Sequence, residues 1–140
     1  MWIGKNPEQY ATDGLEYVYD HMEFDYPGFE ALKRLAMEIV NNDSRFDEDI
    51  CNLLTVLALD NEGANMLYYI EENSSEEQLR KIIKLGIAHL QPEARWQLAE
   101  IIYQRRPPNY KNYLTKLSND NHPYVRKRAS NCLEYLKEEK

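Results

Sequence analysis

The histidines are the side chains best suited to chemistry near neutral pH, and they lie far apart in the sequence. His21 and Asp25 are four residues apart, which places both on one face of a helix and offers two metal ligands. No third ligand accompanies them, so a surface pair is the simpler interpretation. His89 lies near a predicted helix C-terminus, where an imidazolium is favourable without any function. His122 falls in a predicted turn. We therefore expect no metal site.

Other signatures of catalysis are missing from the sequence. Its 5 glycines do not cluster, which excludes a glycine-rich phosphate loop. Carboxylates are abundant, but a catalytic acid needs a partner and a cleft, and the sequence indicates neither. Cys51 and Cys132 lie far apart on predicted apolar helix faces and are interpreted as small buried side chains in a reducing compartment. We expect a non-enzymatic, cytoplasmic protein with no catalytic residue and no cofactor.

The aromatic side chains are more informative, because the chain contains 11 tyrosines and 2 tryptophans. On the helix predicted to begin at Pro92, the residues Trp96, Glu100 and Tyr103 lie opposite the apolar face. Aromatic side chains surrounded by charge are typical of the residues that dominate protein interfaces. The alternative is that Trp96 and Tyr103 pack on the preceding helix, and the sequence does not distinguish the two.

Helical periodicity extends through almost the whole chain, and no segment alternates for long enough to predict a strand. The first apolar stripe consists of Leu15, Val18, Tyr19 and Met22. Two longer helices are predicted over 29–42 and 47–60, followed by a short helix from Ala64 to about Glu71. Ser74 and Glu77 have the spacing of a capping box that would open the next helix. We expect one all-α domain over residues 1–140, with seven or eight helices.

Residues 110–137 have the pattern of a helical hairpin. An apolar helix ends in the turn Asn119-Asp120-Asn121-His122, and Pro123 follows in the first turn of a second helix, where proline is tolerated. Val125-Arg126 and the small Ala129 come next. This pattern resembles a HEAT repeat. The resemblance implies a short α-solenoid of HEAT-like hairpins, whose second helices usually line a concave binding side.

The hairpin pattern returns upstream with a period in the range of helical repeats. Residues Pro92 to Leu98 match Pro123 to Ala129 at an offset of 31, although Leu98 replaces the small residue. A third hairpin, 29–42 followed by 47–60, fits by periodicity alone. The alternative is an irregular helical bundle whose last hairpin is HEAT-like by chance.

Charge divides the chain into an acidic and a basic part. Residues 1–78 contain 4 Lys/Arg and 18 Asp/Glu, a net charge of −14, whereas residues 79–140 contain 13 and 6, a net charge of +7. Because a solenoid keeps sequence-distant repeats apart, we expect this asymmetry to survive folding. No apolar run approaches the roughly 18 residues that span a bilayer, and the N-terminus lacks the pattern of a secretory signal.

A short acidic helical domain without enzyme motifs is similar in general character to bacterial immunity proteins, which cover the active site of a toxin. If the toxin is a nuclease, its basic cleft would attract an acidic surface. We therefore predict a protein partner with a basic surface. The alternatives are a HEAT-repeat scaffold or adaptor, and a nucleic-acid-binding repeat. The last would use Arg105, Arg106, Lys111, Arg126, Lys127 and Arg128, but the net charge of −7 disfavours it. The candidate partner-binding residues are Asp43, Asp47, Glu48, Asp49, Asn52, Glu71, Glu72, Glu76, Glu77, Trp96, Glu100 and Tyr103.

Overall fold

The computed structural model describes residues 28–139, and within this range it contains helices and no strands. This confirms the predicted all-α class. The first apolar stripe, Leu15 to Met22, lies outside the described residues. The seven helices are α1 (Phe29–Asn41), α2 (Asp47–Leu59), α3 (Asn65–Asn73), α4 (Glu76–Ile87), α5 (Pro92–Arg105), α6 (Tyr110–Ser118) and α7 (Pro123–Glu138).

The start of α4 differs from the prediction by one residue. Ser75, not Ser74, is the N-cap, and its Oγ accepts a hydrogen bond of 3.0 Å from the backbone N–H of Gln78. Ser74 is buried, and its hydroxyl donates to the carbonyl of Ile70 near the end of α3, at 2.7 Å. The side chain of Ser74 therefore closes the preceding helix instead of opening the next one.

Helices α2 and α5 lie at the centre of the described part. Helix α2 packs against α1, α3, α4 and α5, and α5 packs against α2, α3, α4, α6 and α7. Burial follows from these positions, since an element with neighbours on several sides needs apolar residues on several faces. The core contributed by these two helices includes the fully buried side chains Ile50, Leu53, Leu54, Leu57, Leu98, Ile101 and Ile102.

The two C-terminal hairpins, α4–α5 and α6–α7, share a backbone contact at the offset of 31 residues. In the first, Arg95 Nη1 donates to the carbonyl of His89 at 2.6 Å. In the second, Arg126 Nη1 donates to the carbonyl of Asp120 at 2.9 Å. In both hairpins an arginine in the first turn of the second helix therefore hydrogen-bonds to the turn that precedes it. The sequence match between the two segments has a matching structural contact.

The seam inside each of these hairpins is filled differently. A Cβ atom on Gly86 of α4 would lie 2.8 Å from Cδ2 of Leu98 and 3.2 Å from Cδ2 of Leu54. The glycine thus makes room for the large residue that occupies the expected small position of α5. At the offset of 31, the corresponding residues are Leu117 and Ala129, both fully buried. The large and the small residue have exchanged helices.

A buried ion pair joins the successive hairpins. Arg95 Nε donates to Asp120 Oδ2 at 2.8 Å, and Arg95 Nη2 donates to Asp120 Oδ1 at 3.0 Å. The two side chains are only 10% and 11% exposed. Burial alone would raise the pKa of Asp120, but the hydrogen bonds from Arg95 and from the backbone N–H of His122 outweigh it and lower this pKa. The pair holds the turn between α6 and α7 against α5.

The two cysteines have different environments, and the prediction that both are buried was wrong for one of them. Cys132 is buried, and burial raises the pKa of its thiol to about 12. Cys51 is exposed because the buried face of α2 begins at its neighbour Ile50 and continues at Leu53 and Leu54. Among residues 28–139, no helix has the length and apolar character needed to cross a bilayer.

Candidate interaction groove

A groove with a volume of about 270 Å³ lies between α3, α5 and α7. We call it the α3–α5–α7 groove. Each helix contributes side chains from one face, because residues three or four positions apart lie next to each other on a helix. Its principal side chains are Tyr68 and Glu71 from α3, Trp96, Gln97 and Glu100 from α5, and Arg128 from α7.

Aromatic rings stand at this groove with part of their surface open. Trp96 is half-buried and meets the ring of Tyr124 edge to face, with centroids 4.6 Å apart and an interplanar angle of 90°. Tyr124 remains 39% exposed, and Tyr68, across the groove on α3, is 57% exposed. Edge-to-face packing orders both rings, and the edge of one ring covers a face of the other.

An arginine of the chain itself lies beside these rings. Arg128 Nε donates to Glu100 Oε1 at 2.9 Å, and Nη2 donates to the same oxygen. The guanidinium carbon of Arg128 lies 5.6 Å from the centroid of the Tyr124 ring, and its Nη1 donates to the hydroxyl oxygen of Tyr124 at 3.1 Å. The two hydrogen bonds from Arg128 to Glu100 thus end on the same carboxylate oxygen, Oε1.

Glu71 is the second acid of the groove. Its carboxylate has no hydrogen bond or ion pair with another residue in the described range. Burial raises the pKa of Glu71, and the nearby charges of Glu72 and Glu100 raise it further, whereas Arg105 acts in the opposite direction. Arg105 itself donates to the carbonyl of Glu71 at 3.1 Å and to Ser74 Oγ at 2.9 Å. Glu71 therefore lies close to two other carboxylates, those of Glu72 and Glu100.

Gln97 contributes a buried amide to the lining. Its Nε2 donates to the carbonyl of Leu57 at 2.8 Å and to that of Glu93 at 2.9 Å, which fixes the orientation of the side chain. Its Oε1 has no hydrogen-bond partner within residues 28–139, although the residue is only 2% exposed. Buried polar atoms are ordinarily paired, so this oxygen is an unused acceptor at the groove.

Three of the residues predicted to bind a partner, Glu71, Trp96 and Glu100, are brought together in the groove. Tyr103 lies elsewhere. Its ring is 6.0 Å from that of Tyr135, and its hydroxyl donates to Glu139 at 2.6 Å. Trp96 and Tyr103 are each partly buried and packed against the core. The rings of both residues contact tyrosines of α7, and the partner-binding role predicted for them stays a prediction.

Four other predicted residues take part in contacts within the chain. Asp43 accepts hydrogen bonds from Arg45 and from Ser75, each at 2.6 Å. Arg45 also pairs with Glu77 at 2.6 Å. The contacts of Asp47 with Lys81 and of Asp49 with Ser44 complete this network, which holds the turn before α2 against the start of α4. Those four acids therefore have structural roles.

The remaining predicted residues are exposed on the surface. They are Glu48, Asn52, Glu72 and Glu76. Glu76 lines a smaller pocket of about 100 Å³ that also contains Arg80, Arg105 and Tyr113. The described structure does not bring these four residues into the groove.

The sequence interpretation missed Tyr68 and Gln97, which line the groove, and assigned Arg128 to a basic surface instead. It also missed Tyr124, which contacts the lining residues Trp96 and Arg128. The sequence did indicate that Tyr124 and Arg128 lie together, because residues four positions apart share a helix face. Gln97 carried no signal, because a single glutamine between apolar residues is compatible with exposure. Which side of α3 faces α5 depends on the packing of the two helices.

All four arginines assigned to the basic alternative already make contacts within the chain. Besides Arg105 and Arg128, Arg106 pairs with Glu139 at 2.7 Å, and Arg126 donates to the carbonyl of Asp120. Lys111 and Lys127 are exposed. The surface available for phosphate contacts is therefore smaller than the count of basic residues indicates.

The histidines do not form a metal site within the described part of the chain. No group of three potential ligands occurs there, and the pair His21 and Asp25 lies outside it. His89 Nδ1 accepts a hydrogen bond from the backbone N–H of Gln91, and burial, aided by Arg95, lowers the pKa of His89. Burial and the hydrogen bond that Nδ1 accepts both favour the neutral form of His89.

No known family, curated protein or solved structure matches this chain.

Proposed function

We propose that this chain is a non-enzymatic protein-binding module that neutralises a toxin by covering its active site, and that the α3–α5–α7 groove is the contact surface. The observation that carries the proposal is the composition of the groove. Tyr68 and Trp96 line the groove together with the acids Glu71 and Glu100, and the partly exposed ring of Tyr124 packs edge to face with Trp96. Rigid aromatic anchors next to charge are the usual centre of a protein interface.

We further infer that the hairpins stack as a short HEAT-like α-solenoid. The repeated contact of Arg95 and Arg126 with their preceding turns supports a common repeat unit. The ion pair between Arg95 and Asp120 joins the two C-terminal hairpins, as contacts between neighbouring repeats do. The second helices α2, α5 and α7 contact one another in that order, as the helices of a stack do.

Charge favours a basic partner. Residues 28–78 contain 12 Asp/Glu and 3 Lys/Arg. The network around Asp43 neutralises some of these acids, but Glu48, Glu72 and Glu76 remain exposed, and Glu71 faces the groove. A nuclease domain has a basic substrate cleft, so an acidic inhibitor would be attracted to it and would associate faster at low salt.

Two alternatives use the same chain differently. A HEAT-repeat scaffold or adaptor would use the same groove without inhibiting anything, so only the activity of the partner separates it from an inhibitor. Nucleic-acid binding would need the basic residues of the last third, and four of the six arginines and lysines assigned to it are engaged within the chain. We therefore rank it below protein binding.

The test is affinity capture from the source cell with three matched proteins: the parent, Tyr68→Ala and Tyr135→Ala. The two tyrosines are similarly exposed, at 57% and 52%, but only Tyr68 lines the groove. We expect one partner that the parent and Tyr135→Ala retain and that Tyr68→Ala loses. The purified partner should then be an enzyme or toxin whose activity the parent chain blocks.

Other outcomes separate the alternatives. A partner retained by all three proteins would place the interface outside the groove. A groove-dependent partner without an activity that the chain inhibits would favour a scaffold. Captured nucleic acid that salt releases would favour the nucleic-acid alternative.

A further inference from the structure

We propose that the α3–α5–α7 groove accepts an arginine side chain of the partner, with the guanidinium between Glu71 and Glu100 and against the rings of Tyr68 and Trp96. This inference rests on the proposed function and names the chemistry of the contact.

The first support is the inventory of polar atoms in the groove. The Glu71 carboxylate accepts no hydrogen bond from a described residue, and both bonds from Arg128 to Glu100 end on Oε1. Gln97 Oε1 is a buried acceptor without a partner in the described chain. These atoms are all acceptors, so the group that complements them is rich in donors. A guanidinium has five N–H donors and no acceptor.

The second support is that the groove already accommodates one guanidinium. Arg128 lies against the Tyr124 ring and donates to Glu100. On the α3 side, Tyr68 and Glu71 repeat this combination of an exposed ring and a carboxylate, without a side-chain cation bonded to Glu71. An arginine from a partner would occupy on this side the kind of position that Arg128 occupies on the other.

The third support is the electrostatic environment of Glu71. Burial and the neighbouring carboxylates Glu72 and Glu100 disfavour its charged form. Arg105, the nearby cation, is held by the carbonyl of Glu71 and by Ser74. A further positive charge in the groove would relieve the repulsion between the carboxylates, and its effect would be strong because the site is partly shielded from solvent.

Aromatic walls and dispersed acceptors favour arginine over lysine. The planar guanidinium stacks on aromatic faces and reaches several acceptors at once, whereas the lysine ammonium is a compact, strongly hydrated point charge. An arginine-containing loop or helix of the partner would therefore place its most selective contact here.

The test uses a minimal probe that does not require the partner. Capped Ala-Arg-Ala, Ala-Lys-Ala and Ala-Glu-Ala peptides are titrated into the folded, ¹⁵N-labelled chain. The reporter is the indole N–H resonance of Trp96, assigned with a Trp96→Phe variant. The arginine peptide should shift this resonance and saturate with a Kd on the order of millimolar, as expected of a single side-chain contact. The lysine peptide should bind at least about threefold more weakly, and the glutamate peptide should cause no shift.

The matched variants are Glu71→Gln and Glu62→Gln. Both remove one negative charge, but Glu71 lines the groove, whereas Glu62 is exposed just outside it. Glu71→Gln should weaken binding of the arginine peptide at least about fivefold, and Glu62→Gln should change it less than about twofold. Glu100→Gln should also weaken binding, and circular dichroism checks that each variant is folded.

Three outcomes would overturn the proposal: no shift of Trp96, equal affinity for lysine and arginine, or equal effects of Glu71→Gln and Glu62→Gln. These results are independent of the capture experiment. A groove-dependent partner without arginine binding would refute this inference and leave the proposed function. If the arginine peptide binds but Tyr68→Ala captures the partner as well as the parent does, this inference stands and the groove is not the contact surface for that partner.

Discussion

Replacing Asp120 by asparagine tests the link between the last two hairpins. The substitution keeps the shape of the side chain and an oxygen that can accept from the backbone N–H of His122, but it removes the charge opposite Arg95. The guanidinium then stays buried without a counterion. Its remaining acceptors would be the carbonyls of His89 and Leu90 and the amide oxygens of Asn121 and the new asparagine.

The magnitude follows from burial. Removing one partner of a buried ion pair costs about 3–5 kcal/mol, because an uncompensated charge remains. Since Arg95 keeps its bonds to the carbonyls of His89 and Leu90, at 2.6 and 3.2 Å, we expect the lower end, about 3 kcal/mol in the free energy of unfolding. In an Arg95→Met background, the same substitution at Asp120 should cost at least about 1.5 kcal/mol less.

The effect should depend on pH in a defined direction. The pKa of Asp120 is lowered in the folded state, so its contribution to stability is present above the unfolded value of about 3.9 and disappears as pH falls through the folded pKa. The difference between the parent and Asp120→Asn should therefore be full at pH 7 and shrink as pH falls below about 4. His89 titrates in both proteins, so comparing them largely cancels its contribution.

Urea denaturation followed by circular dichroism at pH 7 and at pH 3 measures both quantities. A loss below about 0.5 kcal/mol at pH 7 would show that the pair contributes no net stability, despite its burial. A difference that stays constant over this pH range would show that the charge of Asp120 is not the cause.

Three further predictions concern packing and exposure. A thiol reagent should label Cys51 rapidly in the native protein and Cys132 only after unfolding; rapid native labelling of both would contradict the burial of Cys132. Gly86→Ala should lower the free energy of unfolding by about 1 kcal/mol, because overpacking against Leu98 exceeds the gain in helix propensity. Adding Leu98→Val should recover part of this loss. Unchanged or higher stability of Gly86→Ala would contradict the close approach of Leu98 to Gly86. Lys127→Ala should change stability by less than about 0.5 kcal/mol in the same denaturation assay, and a larger loss would contradict its exposure.

The helices were predictable because each apolar stripe repeats over several turns. The predicted helices over 29–42 and 47–60 end within one residue of the observed Phe29–Asn41 and Asp47–Leu59. Helix ends set by a choice between adjacent residues were harder. Ser74 and Ser75 both have a suitable side chain, and the choice depends on a hydrogen bond that Ser74 makes to the end of α3.

The groove was only partly predictable, for a physical reason. Trp96 and Glu100 could be assigned to one face because periodicity along α5 defines a face. Periodicity does not state which other helix approaches that face. Tyr68 comes from α3 and Tyr124 from α7, each 28 residues from Trp96 in the sequence, and their approach to α5 depends on tertiary contacts. The same limit applies to Asp43 and Asp47, whose partners Ser75 and Lys81 come from a different hairpin.

The exchange of large and small residues between Gly86–Leu98 and Leu117–Ala129 limits how the two C-terminal hairpins can be recombined. A chimera that joined α4 to α7 would place Gly86 opposite Ala129 and leave a cavity, while α6 joined to α5 would force Leu117 against Leu98. A single helix of one hairpin therefore cannot replace its counterpart in the other. A whole hairpin can be moved, because it contains both the large and the small residue of its pair. Duplication or transplantation of this architecture would have to treat the pair of helices as the unit of inheritance.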